Sequence, residues 1–185
     1  LYSVNINNLE IIELTSREGT ESSPKVSPDG SKLSFIGSTS SKNFYNDRKM
    51  YIIDSDGSNL KCITNDLDQT PGAPFWSENS SGVYFNVREF GQSNVYYANL
   101  SGQISKVSQG NHMLTMNDLV GNNAVATWTN PSNPSDIVSF SVKKFNFPND
   151  ISLVGNPIKK PLSSISWEIL ISLFLYLKLY NLHPS

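Results

Sequence analysis

The chain has 185 residues, 38% hydrophobic and 11% aromatic, a composition that supports a packed globular core and excludes disorder over most of its length. Fourteen basic residues against sixteen acidic ones leave a formal charge of -2 with no basic block. Nucleic acid is therefore not expected as a partner, and neither is an anionic membrane surface.

The chain opens on LYSVNINN, with no initiator methionine, basic leader or signal-type apolar core, and so reads as starting at an interior cut. The stretch SSPKVSPDGSKLSF, residues 22–35, sets two alternating runs around a turn. Residues 24–26 are expected to form an inner strand, 27–30 a turn, and 32–36, 50–54 and 60–64 three further strands. The turn has a mechanism: Pro28 presets a negative φ, the Asp29 carboxylate bonds nearby backbone, and Gly30 takes the left-handed conformation. Asp56-Gly57 does the same for the outer hairpin. Leu33, Phe35, Tyr51 and Ile53 alternate with more polar residues at the period of a half-buried strand. Pro24 and Pro74 are placed at strand starts, where a missing donor matters little. Cys62, the single cysteine, cannot form an internal disulfide, and its neighbours Leu60 and Ile63 favour a buried structural thiol; the redox compartment stays open.

Sliding the chain against itself shows a repeat. Residues 23–35 lie over 73–85 at an offset of 50, which puts Pro24 on Pro74, Val26 on Trp76, Ser27 on Ser77, Leu33 on Val83 and Phe35 on Phe85. Further on, MYIIDSDG lies over VYYANLSG at an offset of 45, with Tyr51 on Tyr96 and Gly57 on Gly102. The difference places an insertion in the polar loop 38–48. Tyr2 stands where Tyr51 and Tyr96 stand, and ELTS (13–16) is echoed by CITN (62–65) and KVSQ (106–109). A worn copy runs from His112 through AVATW to SDIVSFSV. A four-stranded unit recurring at this spacing buries its faces against its neighbours, giving an all-β fold, a partial β-propeller of about three blades.

The run P-x-(W/V)-S-P-D-G-x-x-(I/L)-x-F, followed by (L/M)-Y-x-x-D-x-D-G-x-x-L-x-x-(I/L)-T, resembles the WD40-like repeat of TolB-type proteins and of the propeller domain of prolyl oligopeptidase family serine peptidases. NHMLTMNDL followed by ATWTNPSNPSDIVSF is similar to the late blades of the acylaminoacyl-peptidase and dipeptidyl-peptidase branch. The resemblance covers about residues 1–155, with a blade remnant at 1–16, blades at 22–65 and 73–109, and a degenerate blade at 112–145. The second copy departs from the pattern, since Glu78-Asn79-Ser80 replaces Pro-Asp-Gly. The resemblance implies a ring that gates peptide substrates, with the remaining blades and an α/β-hydrolase domain as partners; the alternative is a TolB-like scaffold for a protein partner.

No catalytic residue is assigned. Prolyl oligopeptidase relatives use a Ser-His-Asp triad with the serine in a GxSxG elbow, and no glycine here begins that pattern. His112 and His183 are the two histidines, and surface or structural roles are expected for His112. DSDGSN, 54–59, lacks the glycine and glutamate spacing of an EF-hand and reads as turn chemistry, so no metal or cofactor is expected. Arg88-Glu89-Phe90 lies in a loop where propeller peptidases sometimes contact substrate, against the ordinary expectation of exposed loop charge. The sequons at Asn79 and Asn99 carry little weight in so Asn- and Ser-rich a chain.

The last stretch differs in kind. SWEILISLFLYLKLYNL, 166–182, follows the Pro-punctuated linker 156–161 and is interrupted by Glu168, Ser172 and Lys178. A strand or packed helix is the first reading, non-native sequence from gene prediction the second and a membrane span the third.

Overall fold

A computed structural model describes residues 1–38, 48–143 and 152–153. The chain divides into two compact units, Leu1–Val154 and Gly155–Ser185. The second, with the apolar stretch 166–182 and His183, lies outside the described residues. Among the described residues every regular element is a β-strand.

Strands β1 (Tyr2–Val4) and β2 (Ile11–Glu13) pair antiparallel, Tyr2 opposite Glu13. A four-stranded antiparallel sheet follows, in chain order: β3 (Glu21–Val26), β4 (Lys32–Ser38), β5 (Arg48–Asp54) and β6 (Lys61–Cys62). β7 (Phe75–Trp76), β8 (Gly82–Glu89), β9 (Gln92–Asn99) and β10 (Ile104–Lys106) repeat that order. So do β11 (Met113–Val120), β12 (Asn123–Asn130), β13 (Asn133–Ser141) and β14 (Ser152–Leu153). A single parallel bridge, Met113 to Ser93, joins these last two sets along one edge.

The registers of the first two sets coincide. Val26 faces Leu33 as Trp76 faces Val83, and Phe35 faces Tyr51 as Phe85 faces Tyr96. In the worn third set the corresponding positions hold Ala126 opposite Val138. Small side chains there replace a stacked aromatic pair.

Three placements differ from the sequence reading. Pro24 is not at a strand start: β3 begins at Glu21, and the register slips between Ser22 and Lys25, with Ser23 at φ 56°. A bulge is the other place where a strand accepts a residue without an N–H donor. The fourth strand of the first set is only two residues long, which leaves Leu60 exposed and Cys62 half-buried beneath Phe35, Tyr51 and Ile53. In the last set, pairing continues to Leu153, past the boundary expected at 145, because a fourth strand covers the outer edge of β13.

Packing runs between sets. One cluster places Ile36, Met50, Ile52 and Ile63 of the first set against Trp76, Val83, Phe85 and Val87 of the second. Another places Tyr84 and Val95 of the second against Leu114, Met116, Ala124 and Val138 of the third. The second sheet thus buries one face on the sheet before it and the other on the sheet after it, which is how strand units too thin to hold a core alone become stable.

Candidate functional site

The turns built from the repeat phrase lie at one end of the sheets. In the first, Ser27 Oγ donates to Asp29 Oδ1 at 2.6 Å, and Asp29 Oδ1 accepts the N–H and Oγ of Ser31 at 3.0 and 2.9 Å. These bonds, led by that from Ser27, hold the Asp29 carboxyl at a pKa of about 2. Pro28 occupies the next turn position, and Gly30 follows at φ 72°. In the second turn Asn79 Oδ1 accepts the same two groups from Ser81, and Ser80 takes φ 56° where Gly30 stands. The geometry survives the loss of Pro-Asp-Gly because an asparagine side chain accepts as an aspartate does and a short polar residue tolerates the left-handed region.

Neighbouring turns touch. The Asp29 N–H donates to Ser80 Oγ at 3.2 Å, and Asn122 Nδ2 donates to Glu78 Oε2 at 3.3 Å. The outer hairpins sit at the same end, where Asp56 Oδ1 accepts from the N–H of Ser58 at 2.9 Å and Lys32 pairs with Asp54. The Asp54 and Asp56 carboxylates thus accept bonds from Lys32, Ser58 and Asn59 of the same sheet. Gly57, at φ 88°, lies against the Leu14 carbonyl, and Gly102, at φ 93°, against Ile63. Among the described residues no group of three His, Cys, Asp or Glu side chains could hold a metal ion. A cleft of about 100 Å³ is lined by Glu78, Tyr84, Tyr97, Asn122 and Lys143, with Tyr97 Oη 2.9 Å from Ser81 Oγ. It has room for a few waters and is well below the few hundred Å³ of a small-molecule pocket.

At the opposite end, Phe90 and Gly91 form a two-residue hairpin between β8 and β9. Both have positive φ, 49° and 74°, the signature of a type I′ turn. Phe90 is 95% exposed. Below it, Glu89 accepts from Tyr96 Oη at 2.7 Å and pairs with Lys106, which keeps its carboxyl below the usual range. Arg88 is exposed. A large aromatic in a left-handed backbone position, aimed at solvent from a braced hairpin, is strained without benefit to the core. The sequence marked the loop but could not show that strain.

His112, expected to be structural or on the surface, is buried. Burial, assisted by the positive charge of Lys106, lowers its pKa and so favours the neutral imidazole. The carbonyl of His112 accepts the N–H of Ser93, and Ser93 Oγ donates to the Leu114 carbonyl at 2.9 Å. That hydroxyl is committed to structure.

Other residues were missed. Thr64 Oγ1 accepts the N–H of Met50 and Ser108 Oγ accepts the N–H of Val95, both at 2.8 Å in fully buried positions. Their signal was the ELTS, CITN, KVSQ echo. Arg17 lies 3.8 Å from the Tyr51 ring centroid, a cation over the stacked pair that only the fold brings there.

No family model and no curated protein sequence matches the chain. Solved structures do. TolB from Acinetobacter baumannii superposes with a TM-score of 0.62 at 15% identity, over 82% of this chain and 36% of that one. The β-propeller domain of the Trilobed protease from Pyrococcus furiosus gives 0.60 at 18%, over 84% and 45%. The acylaminoacyl peptidase of Pyrococcus horikoshii gives 0.59 at 18%, over 81% and 22%. The fold is a partial β-propeller. The chain spans less than half the length of each of these proteins. Identity this low carries the propeller architecture and nothing of its chemistry.

Proposed function

We propose that the chain is the substrate-gating, non-catalytic part of a propeller that belongs to a prolyl oligopeptidase family serine peptidase acting on peptides. The observation that carries the reading is the repeat phrase, SPDG with its paired Phe and Tyr, in a propeller whose structural neighbours include the Trilobed protease and the acylaminoacyl peptidase. In this reading the missing partners are an α/β-hydrolase domain, which carries the nucleophile, and the remaining blades; the propeller restricts access by size. A second reading, a TolB-like scaffold that holds a protein partner, draws on the likeness to the Acinetobacter baumannii protein and on the solvent-facing Phe90.

The test is to read the coding sequence past Ser185, express the whole polypeptide and treat it with a serine-reactive fluorophosphonate. Labelling that is lost when one serine of a GxSxG elbow is replaced by alanine supports the peptidase, and faster cleavage of short peptides than of long ones supports gating. A whole polypeptide without such labelling leaves the scaffold as the better reading.

A further inference from the structure

The second sequence copy leaves the repeat phrase at Glu78, and the fold gathers that departure with four others. Glu78, Tyr84, Tyr97, Asn122 and Lys143 line the cleft of about 100 Å³ between the second and third sets. At the junction of the first and second sets, the repeat offsets place Pro28, Ser34 and Ile52 where Glu78, Tyr84 and Tyr97 stand. Ser81 matches Asn122, since each follows a left-handed turn residue, and Ser101 matches Lys143, each five residues past its third-strand position, Tyr96 or Val138. That earlier junction has no charge and no aromatic ring at these places, and its Ile52 is buried in one cluster with Trp76 and Val83. The cleft is therefore not a by-product of the repeat.

Its walls are held in place. Tyr97 can lie across residue 82 because that residue is glycine: a Cβ there would come within 2.6 Å of Tyr97 Oη, and Lys32 holds the place in the first set. The ring of Tyr97 packs on that of Tyr84, with centroids 4.9 Å apart and planes 48° apart. Opposite charges share this lining. Glu78 accepts from Asn122 Nδ2, and among the described residues neither Glu78 nor Lys143 belongs to an ion pair, with the other or with a third group. A carboxylate and an ammonium that line one small cleft without joining match a molecule that carries both charges a few atoms apart. Its ammonium is drawn by Glu78 and by the faces of the tyrosine rings, and its carboxylate by Lys143.

We propose that this cleft binds a small zwitterion, an α-amino acid of the size of glycine or alanine, with its ammonium on Glu78 and its carboxylate on Lys143. Size sets the class: the volume is roughly the share of three waters in the liquid, which excludes ligands of drug size. Charge sets the rest, because a plain cation leaves Lys143 unmatched and a plain anion meets Glu78. The inference goes beyond substrate gating and holds whether the propeller serves a peptidase or a scaffold.

The chain, labelled with nitrogen-15, is titrated with glycine and with alanine while the backbone amide shifts of Glu78, Tyr97 and Asn122 are followed by NMR. Saturable shifts at millimolar ligand are expected at these positions. Glu78→Gln and Lys143→Met, both changes of exposed side chains, should each weaken the apparent affinity about tenfold, the loss of one charge-assisted contact. Glycinamide, which lacks the carboxylate, and acetate, which lacks the ammonium, should bind weakly in the same titration. The rise in thermal midpoint of the whole polypeptide with glycine, compared with glycinamide, gives the same reading independently of how the shorter chain behaves. No saturable shift and no rise in midpoint with glycine or alanine overturns the proposal. So does equal binding of glycinamide or acetate, which makes the cleft a site for one charge, and so does tighter binding of glycylglycine, which makes the ligand a peptide.

Discussion

Phe35 and Phe85 occupy the same place in successive sheets. Both side chains are fully buried, and each stacks on the tyrosine opposite it, with interplanar angles of 17° and 25°. Phe85 and Tyr96 close against Ile36, Met50, Ile52 and Ile63, while Phe35 and Tyr51 lie under Arg17 and beside Leu1 and Cys62. One side chain thus fills two differently furnished versions of a single joint. Phe35→Ala and Phe85→Ala should each cost roughly 3 to 5 kcal/mol in denaturant unfolding. The loss should be larger at Phe85, where aliphatic side chains of the preceding sheet cannot follow the retreating ring. Equal losses near zero would place both rings outside the core.

The hydroxyls of Thr64 and Ser108 each satisfy a buried backbone N–H within the third strand of a set. Thr64→Val and Ser108→Ala remove an acceptor while leaving the donor buried, and each is expected to cost about 1 to 3 kcal/mol in the same measurement. An effect below about 0.5 kcal/mol would show that these donors find another partner.

The turn predicts a pH dependence. Hydrogen bonds from Ser27 and Ser31 depress the folded-state pKa of Asp29 from 3.8 to about 2. A depressed acid pKa contributes stability that is fully present above 3.8 and lost as pH falls toward 2. Asn79 fills the corresponding place in the second turn and accepts from the N–H and Oγ of Ser81 as Asp29 does from Ser31. Asp29→Asn should therefore keep neutral-pH stability while flattening the loss between pH 4 and pH 2, read from chemical denaturation at several pH values. An unchanged acid slope in the variant would assign that slope to other carboxylates.

Phe90 stands where a type I′ turn favours asparagine before glycine. Phe90→Asn creates that pair without removing a buried contact, and should raise stability by roughly 0.5 to 1 kcal/mol, since a left-handed backbone is strained for a bulky residue. Thermal unfolding checks it, and a lower midpoint would mean that the ring packs against something in solution.

What the sequence disclosed, and what it hid, follows from which forces are local. Turn and strand positions were legible because Pro, Asp and Gly specify backbone directly and because a repeat reads each weak signal two or three times. The equivalence of Phe35 with Phe85, and of Tyr51 with Tyr96, came from offset alone. Ser23, Ser80 and Phe90 in left-handed conformations were not legible, because none has that preference and each is held there by its hairpin or bulge. Nor was Pro24 inside β3, since a bulge depends on the partner strand. Arg17 over Tyr51 and the buried His112 arise from packing between sheets, which no window of sequence contains. The candidate site was legible only as a place: Arg88 to Phe90 read either as a substrate-contact loop or as ordinary loop charge, and the left-handed backbone beneath the exposed ring was not foreseen.

The function proposed above, a propeller that gates chemistry performed elsewhere, is tested by one labelling measurement. The purified 185-residue chain is incubated with a fluorophosphonate probe, alongside short amino-acyl and peptidyl chromogenic substrates. A serine nucleophile needs an imidazole base and an oxyanion site within hydrogen-bond reach. Ser93, whose N–H donates to the His112 carbonyl, spends its hydroxyl on the Leu114 carbonyl. No labelling and no hydrolysis above background is the result predicted; stoichiometric labelling of a single serine with turnover would contradict it.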